Sequence, residues 1–129
     1  MKTGDRRIII PDFMILIKSM SIINEKTATD LLAKLEMAER ISHKPAALSA
    51  GEKQRTALAR AMINNPSLIL ADEPTGNLDP ENAEIVMSVL EEYKEQGGTV
   101  ILVTHGDQAK RYATKMVRMQ KGLLSEESV

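Results

Sequence analysis

Asp72 and Glu73 are adjacent carboxylates that follow a short apolar run at Leu68, Ile69 and Leu70. One such carboxylate can face a hydrated magnesium ion, which takes one or two carboxylates together with waters and phosphate oxygens. The other can orient or deprotonate a water that attacks a phosphoryl group. Thr104 and His105 follow a second apolar run, Thr99 to Val103, and a histidine so placed can contact an anion or an attacking water. Ser49 and Glu52 stand in capping-box spacing, with Ala50 and Gly51 between them. The free N–H groups and dipole of such a helix tip favour an anion, glycine lets it approach the backbone, and serine adds a donor. Each group also has a plain structural alternative: a solvated acid pair, a packed histidine, a cap without a ligand. Asp79 reads equally well as the N-cap of a helix opened by Pro80.

The elements that must position these groups follow from periodicity and from stop signals. Thr27 to Arg40 reads as a helix with Leu31, Leu35 and Ala38 on one face, broken at His43 to Ala46. A second helix runs from about Gly51 to Asn64, with Ala57, Leu58, Ala61 and Met62 as its apolar stripe, and Asn64, Asn65 and Pro66 stop it. Ser67 to Ala71 has the continuous apolar pattern of a strand buried on both faces. A third helix spans about Pro80 to Gln96, with Ile85, Val86, Val89, Leu90 and Tyr93 on one side; Gly97 and Gly98 end it. Thr99 to Val103 is another buried strand. A short helix near Gln108 to Tyr112, a strand near Lys115 to Met119 and a turn at Lys121 and Gly122 follow. Alternating helices and strands with short connections predict an α/β fold with a parallel sheet. Ligands in such sheets sit outside the carboxyl ends of the strands, where Asp72, Glu73, Thr104 and His105 fall.

The 129 residues amount to about one small domain. With 17 basic and 18 acidic groups the net charge is −1, so no basic excess argues for nucleic acid. The charge is unevenly spread: residues 1–55 carry 10 basic and 7 acidic groups, residues 56–129 carry 7 and 11. The absence of cysteine excludes disulfides, thiolate metal sites and cysteine nucleophiles. With one Phe, two Tyr and no Trp, the core is aliphatic and filled by some of the eight methionines. No apolar run approaches the roughly 18–20 residues needed to span a bilayer. Pro11 and Asp12 cut short the apolar Ile8 to Ile10, so the N-terminus does not read as a signal peptide.

Two strings carry a family resemblance. Leu70 to Asp79 reads LADEPTGNLD, and Leu48 to Arg55 reads LSAGEKQR. The first resembles the Walker B strand and D-loop of ATP-binding cassette (ABC) ATPases, the second their signature motif. Thr104 and His105 match the position of that family's switch histidine. The wording ADEPTGNLD is most similar to transport ATPases of the lipoprotein-release and macrolide-export type. The resemblance implies an incomplete P-loop NTPase-type parallel sheet flanked by helices, with part of the ABC helical subdomain at the N-terminus. About residues 12–47 would be that subdomain, and 48–129 the signature, Walker B, D-loop and switch-histidine part of the core. It implies ATP and Mg²⁺ as cofactors, with Asp72 holding Mg²⁺ through water, Glu73 as catalytic base and His105 at the γ-phosphate or the attacking water. Ser49, Ala50, Gly51 and Glu52 would read the γ-phosphate of ATP held by a second subunit, and Asp79 would make a D-loop contact across the dimer. Position 50 is alanine where the common family pattern has glycine. The implied partners are a second ABC ATPase subunit and transmembrane permease subunits, with no nucleic acid. The implied location is cytoplasmic, peripheral on the inner face of the membrane.

The family's phosphate-cradling loop, GxxxxGK[ST], is not found: none of the glycines at 4, 51, 76, 97, 98, 106 and 122 is followed by lysine. The chain therefore reads as the C-terminal part of a cassette, and by itself is expected to bind ATP weakly and hydrolyse it negligibly. Without the loop's strand, Thr99–Val103 is expected to keep one unpaired edge, which Arg6 to Ile10 could fill. Three further readings stand beside an ATPase subunit: a module that supplies its signature motif in trans without turnover, a chromosome-maintenance or DNA-repair ATPase half, and a non-functional truncated product. Fewer than 50 residues precede the signature, with no sustained heptads, which disfavours the second of these.

Overall fold

The computed structural model describes residues 25–128, which fall into two compact units that divide between Pro66 and Ser67. The first unit holds α1 (Glu25–Lys34), 3-10 turns at Ala38–Arg40 and Pro45–Ala47, and α2 (Ala50–Met62). The helix expected over Thr27 to Arg40 ends six residues early, at Lys34. Glu36 adopts a left-handed conformation (φ 53°), so that the Met37 N–H donates to the Leu32 carbonyl (2.8 Å) and the Glu36 N–H to that of Ala33 (3.0 Å). This pair of bonds is a Schellman stop, which normally places glycine at the left-handed position. A non-glycine residue there costs roughly 1–2 kcal/mol. Burial of Leu32, Leu35 and Met37, none more than 1% exposed, offsets it, at roughly 1.5–3 kcal/mol per side chain.

The buried face of α2 also differs from the expected stripe. Ala57 and Ala61 are exposed, whereas Arg55, Thr56, Leu58 and Ala59 are buried. A count of apolar residue types passes over Arg55, whose aliphatic stem can be buried as readily as leucine. Its guanidinium Nη2 lies 3.9 Å from Met37 Sδ.

The second unit holds β1 (Leu68–Asp72), α3 (Pro80–Glu95), β2 (Thr99–Val103), a 3-10 turn at Asp107–Tyr112, β3 (Met116–Gln120) and β4 (Leu123–Glu127). β1 and β2 are parallel, paired from Leu68↔Thr99 to Asp72↔Val103, with α3 as the crossover between them. Among the described residues each of these strands has a single neighbour, so β2 keeps a free edge. The Arg6 to Ile10 segment considered for that edge lies outside the described residues. The expectation that both strands are buried on both faces is not met. Ile69 is buried, but Leu68, Leu70, Ile101 and Val103, which share the other face, are 44–70% exposed. One crossover helix covers one face of a sheet, and a continuous apolar run does not say which face that is.

α3 buries Ala83, Val86, Met87, Val89, Leu90 and Tyr93. It ends at a second Schellman stop, with Gly97 at φ 94°, the Gly97 N–H on Lys94 O (3.0 Å) and the Gly98 N–H on Tyr93 O (3.1 Å). A Cβ on Gly98 would lie 2.1 Å from Cε1 of the buried Tyr93 ring. Gly98→Ala is therefore expected to destabilise the chain by about 1–3 kcal/mol, the range for overpacking. Denaturant unfolding checks this, and the loss should shrink when Tyr93 is replaced by Leu.

The strand expected near Lys115 to Met119 is found at Met116–Gln120, but its antiparallel partner β4 was not anticipated. Lys121 (φ 50°) and Gly122 (φ 78°) form the two-residue connection, whose paired positive φ values match the twist of a hairpin. The 3-10 turn is tied to α3: the Tyr112 hydroxyl donates to Glu84 (2.5 Å), Arg111 pairs with Glu84, and Lys94 Nζ donates to Tyr112 O (3.3 Å).

Candidate functional site

The parallel register brings the ends of β1 and β2 level, Asp72 beside Val103. Immediately beyond, Glu73 leaves the strand in a left-handed conformation (φ 47°), its N–H donating to Val103 O (2.7 Å). Its carboxylate is thereby turned toward the segment after β2. Glu73 Oε2 accepts from Thr104 Oγ1 (3.1 Å), and Oε1 accepts from the His105 N–H (3.0 Å) and pairs with His105 Nδ1. Thr104 Oγ1 also accepts from the Gly106 N–H (3.0 Å), so one hydroxyl joins the carboxylate to the histidine loop. Partial desolvation pushes the Glu73 pKa up, but the donors from His105 and Thr104 outweigh it and hold the group below its ordinary value. His105 is 92% exposed and Glu73 33%, so the pair opens to solvent.

The sequence placed Glu73, Thr104 and His105 at the strand ends, and the structure joins them. What sequence reasoning missed is the linking role of the Thr104 hydroxyl, since no spacing rule says which of two neighbouring side chains turns inward.

Asp72 is exposed at the end of β1. Among the described residues no group of three or more His, Cys, Asp or Glu side chains converges as a metal cage. A single exposed carboxylate suits an ion that draws the rest of its shell from water and phosphate, as magnesium does.

Asp79 caps α3. Its Oδ1 accepts from the Asn82 N–H (3.0 Å) and its Oδ2 from Asn82 Nδ2 (2.5 Å), and these bonds lower its pKa. Asp79→Ala should lower the thermal midpoint by less than Gly98→Ala does, and Asp79→Asn, which keeps an acceptor, should recover most of the loss.

In the first unit, the capping box at α2 is complete. Ser49 Oγ accepts from the Glu52 N–H (3.1 Å), and Glu52 Oε2 accepts from the Ser49 N–H (2.8 Å). Glu52 Oε1 accepts from Arg40 Nε (2.6 Å), a partner that the sequence does not signal because it lies in the irregular stretch between the helices. The Arg40 hydrogen bond and the Ser49 N–H hold the Glu52 carboxyl below its ordinary pKa. Ala50 and Gly51, in the first turn, have no hydrogen-bond partner for their N–H groups among the described residues. Because Ser49 Oγ is an acceptor toward Glu52, its own hydroxyl proton is left to donate. The tip thus offers three donors and no uncompensated acceptor.

The sequence matches the family described as ABC transporter over residues 5–76. It is 45% identical over 101 residues to an uncharacterized ABC transporter ATP-binding protein of Methanocaldococcus jannaschii, covering 78% of this chain and 45% of that protein. It is also 45% identical over 97 residues to a macrolide export ATP-binding/permease protein MacB of Chlorobium luteolum, covering 75% of this chain and 15% of that one. Among solved structures it is similar to a dimeric ATP-binding cassette in a post-hydrolysis state bound to ADP and Pi. There the TM-score is 0.76 at 32% identity, over 92% of this chain and 57% of that one. The chain thus spans less than half the length of these two relatives.

Proposed function

This chain belongs to the ABC transporter family, and on that footing we propose that it forms the signature, Walker B, D-loop and switch-histidine part of an ATP-binding cassette that couples ATP hydrolysis to transport across a membrane. In this reading residues 12–47 belong to the helical subdomain and 48–129 to the core. The cassette pairs with a second ATPase subunit and docks on membrane-spanning permease subunits at the inner face of the membrane. No helix among the described residues is long and apolar enough to cross a membrane.

The observation that carries the reading is the carboxylate–histidine juncture at the ends of two parallel strands. Glu73 is the base: it accepts the proton of a water attacking the terminal phosphate. His105 Nδ1 pairs with Glu73 Oε1 in this structure, and turning the exposed ring toward the phosphate frees an acceptor position on that oxygen for the proton while the His105 N–H stays bonded to it. Asp72 would hold a magnesium ion. That ion, when bound with ATP, supplies positive charge to the phosphate oxygens. Ser49, Ala50 and Gly51 donate to the terminal phosphate of a nucleotide held by the opposite subunit, Glu52 braces that tip, and Asp79 makes a D-loop contact across the dimer.

A second reading is favoured by the engagement of both Glu73 carboxylate oxygens by Thr104 and His105: a module that supplies the Ser49 tip in trans without turnover at its own acids. The test mixes the chain with a complete cassette subunit that carries the phosphate loop. Association that requires Mg²⁺-ATP and is lost with ADP supports both readings, and equal association with either nucleotide overturns both. A turnover of the mixture indifferent to Glu73→Gln selects the second.

A further inference from the structure

The tip of α2 carries a contradiction. An N-terminus that is to receive a phosphate holds a carboxylate, Glu52, hydrogen-bonded to the Ser49 N–H at 2.8 Å. A negative charge within the first turn uses up the attraction that the helix dipole offers an incoming anion. Arg40 resolves this. Its Nε donates to Glu52 Oε1 at 2.6 Å, and Glu52 is only 16% exposed, so the two charges meet where solvent screens them partially.

Resting on the reading of Ser49, Ala50 and Gly51 as phosphate donors, we infer that Arg40 is a positioning and charge-compensating residue of that site. It cancels the Glu52 carboxylate so that the capping box can hold the tip rigid without repelling the nucleotide. The surroundings do not replace it. The cavity of about 400 Å³ beside the pair is lined by Glu36, Ala38, Glu39 and Arg55 besides Arg40 and Glu52, so its acids outnumber its guanidinium groups. Arg55 is itself buried, with Nη2 directed to Met37 Sδ rather than to Glu52. Removing Arg40 leaves Glu52 with its backbone donor and, among the described residues, no counter-charge at hydrogen-bond distance.

The test is a titration of the full chain with inorganic phosphate at constant ionic strength, following the amide resonances of Ala50 and Gly51. In the natural sequence both respond. Arg40→Ala weakens the response about two- to fivefold, the range that one charge near a helix N-terminus commands, and Arg40→Lys retains most of it. Adding Glu52→Gln to Arg40→Ala restores the affinity, because glutamine keeps the capping acceptor without the charge. This double variant lacks Arg40 as well, so its recovery separates charge compensation from a loss of fold. The inference is overturned if Arg40→Ala binds phosphate as tightly as the natural sequence, or if the double variant stays as weak as the single one. If no variant responds, the natural sequence included, the reading of the Ser49 tip as a phosphate site fails, and this inference fails with it.

Discussion

Glu73→Gln is expected to reduce ATP turnover by about 10²–10⁴-fold, the contribution of a positioned general base, when the chain is assembled with a cassette subunit carrying the phosphate loop. Glutamine has the same shape, and its carbonyl can accept from the His105 N–H or from Thr104, so the strand-end geometry survives. What it lacks is a second acceptor oxygen able to take up a proton. ATP-driven association should therefore persist while phosphate release is lost, and measuring the two on the same samples checks the assignment. Loss of both together would make Glu73 a folding residue rather than a base. The same variant has a pH signature. The folded chain holds the Glu73 pKa below its unfolded value, so its stabilising contribution is present above the ordinary carboxylate range and is lost as pH falls through the lowered folded value. In Glu73→Gln that part of the acid dependence should vanish, and acid unfolding curves of the two proteins compare it directly.

Leu32→Ala should cost about 2–5 kcal/mol, the range for emptying a fully buried leucine site. Leu32 is 1% exposed, and its carbonyl accepts the Met37 N–H that closes the stop of α1. The substitution removes apolar burial at the place where the left-handed Glu36 depends on it. Urea unfolding measures the loss. Leu31→Ala, one residue away and half-buried, should cost clearly less. Equal losses at the two positions would show that the Schellman stop does not depend on this side chain.

These two residues also show how far the sequence could be read. The placement of Glu73 and His105 at one edge was legible because parallel strands deliver their final residues there, a consequence of topology that alternating helices and strands disclose. The caps were equally legible: Ser49 with Glu52, Asp79 with Pro80, and the Gly97–Gly98 stop all appear where local hydrogen-bonding rules put them. Leu32 belongs to the part that was not legible. The early end of α1 at Lys34 depends on a glutamate entering a region that glycine prefers, a cost offset by the burial of Leu32, Leu35 and Met37, which local propensity does not disclose. The buried face of α2 was misread because Arg55 is polar by type and buried by context.

The sequence alone determined most of the local decisions: which segments form all but the last strand and the helices' approximate extents, where most are capped, and which side chains stand at the ends of the parallel strands. It also carried the motifs that mark the family, because these are contiguous strings whose chemistry needs fixed spacing. Tertiary structure decided what depends on partners remote in the chain: the bond of Thr104 and His105 to Glu73, the Arg40–Glu52 pair at the helix tip, the antiparallel hairpin at the end, and the one-sided burial of the parallel strands. The physical reason is range. Capping and backbone stops are settled within a few residues, whereas the partner of a carboxylate or the covered face of a strand is chosen by whichever distant segment packs there.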